Sequence, residues 1–188
     1  PRTDPMFVRF LVWSFVSAAV LTSSNAFAQG SAIGGVLNRV DQVKNDHIAN
    51  QRAVSKGPKD PLEKVQPGKI DKDAWQKFSK TSSGLGYRIL RKSGKTKPKA
   101  NDVVVAHYKG WLDNQKIFDS SYRKGKPLRF PLSGVIKGWT EGLQLIGEGG
   151  MIELDIPHEL GYGREGTPGG PIPPRARLHF IVELVAIE

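Results

Sequence analysis

With 188 residues, 38% of them hydrophobic, the chain has material for one ordinary core plus extensions, not for two large domains. It contains no cysteine, which excludes disulfides, thiol nucleophiles and cysteine-ligated metals. The formal net charge of +10 would point to nucleic acid or another anionic surface if it were spread over the fold. Instead, residues 99–188 carry 11 basic and 11 acidic side chains, and residues 29–98 hold the excess, 15 against 6, so no nucleic-acid partner is expected for the C-terminal part.

The basic start around Met6 and Arg9, the apolar run from Phe10 to Leu21 and the Ala26-Phe27-Ala28 end fit a secretory signal peptide. Cleavage is expected after Ala28. Pro1 to Pro5 precede that methionine and are read as upstream of the natural start. The run is short for a membrane span, and an exported chain without cysteine fits a bacterial periplasm.

Residues 29–82 read as a basic extension. Ile33, Val36, Leu37, Val40 and Val43 recur at helical spacing within residues 31–54, a stripe suited to a homodimer or a docking partner, with a solvated helix as the alternative. Residues 56–72, rich in Lys, Pro, Gly and Asp, read as linker, and residues 73–80 as a short helical turn.

From residue 83 the pattern becomes that of a folded domain running to residue 188. Leu85, Tyr87 and Ile89 alternate as in a strand. Residues 103–112 form a stronger strand, with Val104, Ala106, Tyr108 and Gly110 on one face. A turn at Asp113-Asn114 leads into Ile117 to Ser121, then a basic loop. Leu128 to Phe130 is an edge-like strand stopped by Pro131. A helix is expected over residues 140–146, with Trp139 at its mouth. Residues 151–156 and 177–187 alternate as strands, the last with Leu178, Phe180, Val182 and Leu184 pointing together. This order predicts an α+β domain, a twisted antiparallel β-sheet wrapped around one short α-helix.

Gly161-Tyr162-Gly163-Arg164-Glu165-Gly166 matches the glycine spacing of a dinucleotide turn, which must open a helix to hold a pyrophosphate. The following Thr167 to Pro174, with four prolines, cannot form one, so no nucleotide is expected. His47, His107, His158 and His179 have no metal-type spacing, and no Ser/His/Asp arrangement has a nucleophile turn. Neither metal nor cofactor is expected. What remains is a set of aromatic and aliphatic residues at element ends, with Asp119 beside them in sequence. Such a set suits an apolar binding pocket with one carboxylate and tyrosine hydroxyls.

Taken in order, His107-Tyr108, Phe118-Asp119-Ser120-Ser121, Val135-Ile136-Lys137-Gly138-Trp139-Thr140-Glu141-Gly142, Leu160-Gly161-Tyr162-Gly163, Ile172-Pro173-Pro174 and Val182-Glu183-Leu184 resemble the FKBP-type peptidyl-prolyl cis-trans isomerases, over roughly residues 83–188. The resemblance implies a prolyl pocket lined by Tyr108, Phe118, Asp119, Phe130, Val135, Ile136, Trp139, Tyr162, Ile172 and Phe180, with Trp139 under the ring. It implies that Asp119, held by Tyr108, acts with Tyr162 and Trp139 in catalysis. Leu128 departs from the family, which commonly has a pocket phenylalanine there. Met151-Ile152-Glu153 and Arg175-Ala176-Arg177 depart away from the expected pocket. The implied activity is rotation of X-Pro bonds in exported proteins, with macrolides of the tacrolimus and rapamycin class as inhibitors. A competing reading makes the chain a client-binding chaperone module whose basic extension carries the main interaction.

Overall fold

The computed structural model describes residues 56–188. The expected signal peptide, its expected cleavage site and the 31–54 stripe lie outside the described residues. Seven strands form one antiparallel sheet: β1 (Ser79–Lys80), β2 (Gly86–Arg91), β3 (Val103–Leu112), β4 (Ile117–Ser120), β5 (Leu128–Pro131), β6 (Met151–Ile156) and β7 (Leu178–Ile187). Their order is β1-β2-β6-β7-β3-β4, with β5 also pairing β3. Strand β5 takes Val103 to Ala106 and β4 takes Lys109 to Trp111, so the two share one edge of the long strand. Pro131 ends β5, as expected of a residue that has no N–H to donate.

The helix packed on the sheet, α2 (Lys137–Leu143), lies three residues earlier than expected, which places Trp139 inside it. Gly138 and Gly142 weaken the local helix signal, and both are set by packing. A Cβ on Gly138 would lie 2.7 Å from Ile156 Cγ2, and one on Gly142 would lie 2.7 Å from Leu154 Cδ2. The bare backbone therefore lets α2 seat close on β6. Beyond Leu143 the chain continues in tighter turns, Leu145 N–H to Gly142 O at 3.1 Å and Ile146 N–H to Leu143 O at 3.3 Å. A second helical turn, α1 (Ser121–Lys124), occupies the start of the expected basic loop and ends on Gly125 at φ +75°.

Leu178, Phe180, Val182 and Leu184 share one core with Val104, Ala106, Tyr108, Trp139 and Leu143, as their alternation predicts. In β3 the alternation of burial then stops, and every residue from Tyr108 to Leu112 is buried. A second layer covers the opposite face there: Leu90, Trp111, Met151 and Ile181 form a smaller cluster joined by Ile70 and Ile117.

Residues 56–82, the expected linker and helical turn, lie over that cluster, and their Ile70 joins it. They form a strap held by specific contacts. Gly57, at φ +72°, lies so close to the Trp111 ring that a Cβ would sit 2.8 Å from it. Asp71 N–H bonds Leu90 O at 2.9 Å, Trp75 N–H bonds Ile89 O at 3.1 Å, and β1 pairs with β2. The Lys109 ammonium is buried under the strap on Glu63 Oε1 at 2.9 Å, both side chains under 5% exposed. No helix forms over residues 73–80, where a turn leads into β1. Charge-rich composition signals a solvated linker only when the charges stay in water, and several here are paired in the interior.

Candidate active site

The expected pocket residues come from β3, β4, β5, β7, the segment before α2, α2 itself and the 160–176 loop, and they meet in one apolar cluster. Tyr108, Phe130, Trp139, Ile172 and Phe180 are buried members, and Phe118, Leu128, Val135, Ile136 and Tyr162 pack against them. Trp139 is the hub. Tyr108 and Phe180 meet it edge-on, each at 5.1 Å between ring centres and at 79° and 82°, and Phe130 lies at 5.4 Å. Phe118 stands edge-on to Phe180 at 5.4 Å. Such pairs prefer edge-to-face geometry because the ring edge is positive and the face negative.

Exposure divides the set in two. Phe130 and Ile172, each 2% exposed, are buried together with Tyr108, Trp139 and Phe180. Phe118, Asp119, Leu128, Val135, Ile136 and Tyr162 remain partly exposed and form the rim. Leu128, opposite Ala106, makes that stretch of wall aliphatic.

The polar groups sit on the same rim. The Tyr108 hydroxyl donates a short hydrogen bond to Asp119 Oδ2. Asp119 Oδ1 accepts from the Ser120 N–H at 2.9 Å and lies 3.2 Å from Lys124 Nζ. Lys124 belongs to α1, and the sequence showed it only as one charge of a basic loop. Burial, then the Asp119 charge, pushes the Tyr108 hydroxyl far above its ordinary pKa, and the same two causes in the same order raise that of Tyr162. Both phenols therefore stay protonated as donors. Among the described residues the Tyr162 hydroxyl and the Ile136 N–H have no hydrogen-bond acceptor, and the Trp139 Nε1–H is buried without one.

Gly110, opposite both Asp119 and Phe180, is the floor glycine that residue patterning alone did not single out as functional. A Cβ there would lie 2.5 Å from Phe180 and 2.7 Å from Phe118, so only glycine lets both rings stand over the strand. The glycine-rich 161–166 stretch runs through turns and opens no helix, with Gly163 and Gly166 both at φ +68°. Bonds from Thr167 N–H to Ile172 O at 2.9 Å and from Arg175 N–H to Gly163 O at 3.1 Å hold the loop that presents Tyr162 and Ile172. A separate shallow groove of about 360 Å³, bordered by Asn101, Lys137 and Glu141, shares only Val135 with the aromatic set. Among the described residues no three His, Asp or Glu side chains are grouped to hold a metal ion.

An antiparallel sheet packed on a short helix carries an aromatic cluster whose rim sets phenolic donors beside one carboxylate. The FKBP-type peptidyl-prolyl cis-trans isomerase pattern matches residues 94–185. The chain is 48% identical over 139 residues to the FKBP-type peptidyl-prolyl cis-trans isomerase FkpA of Escherichia coli, covering 72% of this chain and 51% of that protein. The crystal structure of FkpA from Escherichia coli superposes with a TM-score of 0.58 at 47% identity, over 61% of this chain and 53% of that one. The crystal structure of AtFKBP13 gives 0.55 at 38% identity, over 60% of this chain and 99% of that one. The chain belongs to the FKBP-type peptidyl-prolyl cis-trans isomerase family. It spans about half the length of the FkpA sequence it matches, and that match is longer than residues 83–188, so the likeness runs into the strap.

Proposed function

We propose that this chain is a peptidyl-prolyl cis-trans isomerase that accelerates X-Pro rotation in polypeptides folding outside the cytoplasm. The observation that carries the reading is the box around Trp139, bounded by the Tyr162 hydroxyl and the Ile136 N–H, both without protein acceptors among the described residues. Rotation about the X-Pro bond faces a barrier of about 18–20 kcal/mol because the planar amide is resonance-stabilised. Unaided it takes tens to hundreds of seconds. No covalent step is required. The planar amide carries negative charge on oxygen and positive character on nitrogen, and twisting removes that separation. A dry pocket therefore disfavours the planar state relative to the twisted one, and binding that is tighter to the twisted form lowers the barrier. A thousandfold acceleration corresponds to about 4 kcal/mol.

In this reading Trp139, Phe180 and Val135 hold the pyrrolidine ring, while the Ile136 N–H and the Tyr162 hydroxyl donate to substrate carbonyls. Asp119, fixed by Tyr108, sets the electrostatics beside the twisting carbonyl. Phe118, Phe130, Leu128 and Ile172 complete the walls. Measured kcat/KM on a Leu-Pro peptide is expected to fall in both Asp119→Ala and Trp139→Ala, and unchanged activity in both refutes the assignment. Macrolides of the tacrolimus and rapamycin class are expected to compete for the same box, with affinity reduced by Leu128 and recovered in Leu128→Phe. Periplasmic location and a homodimer through residues 31–54 belong to the same proposal, tested by cell fractionation and by the light-scattering mass with and without those residues.

A further inference from the structure

We infer that the strap is part of the active-site machinery: Asp60 and Glu63, on the far side of the sheet, position the Asp119 carboxylate. The inference rests on the isomerase reading above. Asp119 is the penultimate residue of β4, and α1 begins two residues later, so whatever fixes α1 fixes the carboxylate's backbone. The strap grips α1 directly. Lys64 and Val65 N–H groups both donate to the Tyr122 carbonyl, at 3.0 and 3.3 Å. Arg123 Nε pairs with Asp60 Oδ2 at 2.6 Å, the carboxylate being 1% exposed, and the other oxygen of Asp60 accepts the Leu62 N–H at 3.1 Å. Asp60 thus ties the strap's own turn to α1.

A second connection runs through β3. Tyr108, Lys109 and Gly110 are consecutive, and neighbours on a strand point to opposite faces. Tyr108 holds Asp119 from the pocket side, Gly110 is the strand partner of Asp119, and Lys109 between them reaches Glu63 and the Pro58 carbonyl, each at 2.9 Å, on the strap side. Ser121 closes the loop, since its hydroxyl accepts the Tyr108 N–H at 2.7 Å. From the interior, the Tyr122 hydroxyl donates to Glu183 Oε1 at 2.5 Å, and the same oxygen accepts the strap's Gly68 N–H at 2.7 Å. Strap contacts therefore reach Tyr122 and Arg123 in α1 and Lys109 in β3, which adjoin the residues that hold Asp119, and this is more than covering an apolar face requires. A misplacement of about 1 Å in a reacting group can cost on the order of a hundredfold in rate, so a positioning layer of this kind acts on catalysis and not on stability alone.

The test is a double-mutant cycle in the full chain, with NMR exchange on a Leu-Pro peptide giving kcat and KM separately. Asp60→Asn is expected to lower kcat about three- to tenfold with KM changed less than about twofold, and Asp60→Glu to recover most of the loss. In an Asp119→Ala background Asp60→Asn should change kcat less than about twofold. An equal loss in both backgrounds, or a folded Asp60→Asn with unchanged kcat, overturns the inference. The Tyr108 hydroxyl proton, far downfield when bonded to a carboxylate, supplies a readout independent of turnover and is expected to move or broaden in Asp60→Asn. If wild type fails to accelerate rotation, the isomerase reading has failed, and this signal alone decides whether the strap positions Asp119. If Asp60→Asn does not fold, Arg123→Gln breaks the same pair from its more exposed end, with the same outcomes deciding.

Discussion

Replacing Gly110 by alanine adds one methyl group at the place where the fold and the pocket compete for the same space. Its Cβ would lie 2.5 Å from Phe180 Cε1 and 2.7 and 2.8 Å from Phe118 Cζ and Cε2, against contacts of at least 3.0 Å for real Cβ atoms. Phe180 cannot yield cheaply: it is 4% exposed and held at 5.1 Å by Trp139. Phe118, on the rim, must swing outward, opening the wall beside Asp119. Overpacking of this kind costs about 1–3 kcal/mol. For a domain of this size that lowers Tm by roughly 3–12 °C. Displacing the Phe118 ring by half an ångström or more is expected to reduce kcat/KM about tenfold. Calorimetry and the Leu-Pro exchange assay read the two effects, and Phe118→Leu added to Gly110→Ala should recover stability but not activity. A Gly110→Ala variant with wild-type Tm and wild-type kcat/KM would refute the space argument.

Glu63→Ala removes the counter-charge of the buried Lys109 and leaves it only the Pro58 carbonyl, so denaturant unfolding should show a loss of about 3–5 kcal/mol. A fragment of residues 83–188 strips the cover from Leu90, Trp111, Met151 and Ile181. It should lack a cooperative thermal transition where a fragment of residues 56–188 shows one. Burial holds the His107 imidazole below its ordinary pKa of 6.5, with the Glu183 charge pulling the other way. As pH falls the unfolded chain binds the proton first, so this contribution to stability is full above that value and is lost below it. The slope of the unfolding midpoint between about pH 5 and 7 should flatten in His107→Gln. At the alkaline end, Tyr108 and Tyr162 titrate above the ordinary tyrosine value, so kcat/KM should stay level to about pH 10. An alkaline fall below that pH, abolished by Tyr162→Phe, would contradict this.

The strands were legible because their information is local. Alternation places Leu178, Phe180, Val182 and Leu184 on one face whatever lies elsewhere, and Pro131 ends β5 through its own missing donor. The residues that pack around Trp139 were legible as types at element ends, and the motif order that carries the family resemblance names them together. Helix register was less so: the expected start at residue 140 left Gly138 outside the helix, whereas Gly138 and Gly142 both seat it on Ile156 and Leu154 over Lys137–Leu143. The role of residues 56–82 could not be read from the sequence. Lysine, proline and aspartate give the same composition in a solvated linker and in a strap. The difference lies in whether Glu63 meets Lys109, Asp60 meets Arg123 and Gly68 meets Glu183, partners 46 to 115 positions away. The sequence by itself determined the strand pattern, the family likeness and the chemistry available to the pocket. Tertiary structure decided which charges leave water and what holds Asp119 in place, because burial of a charge is settled by distant partners and not by its neighbours in the chain.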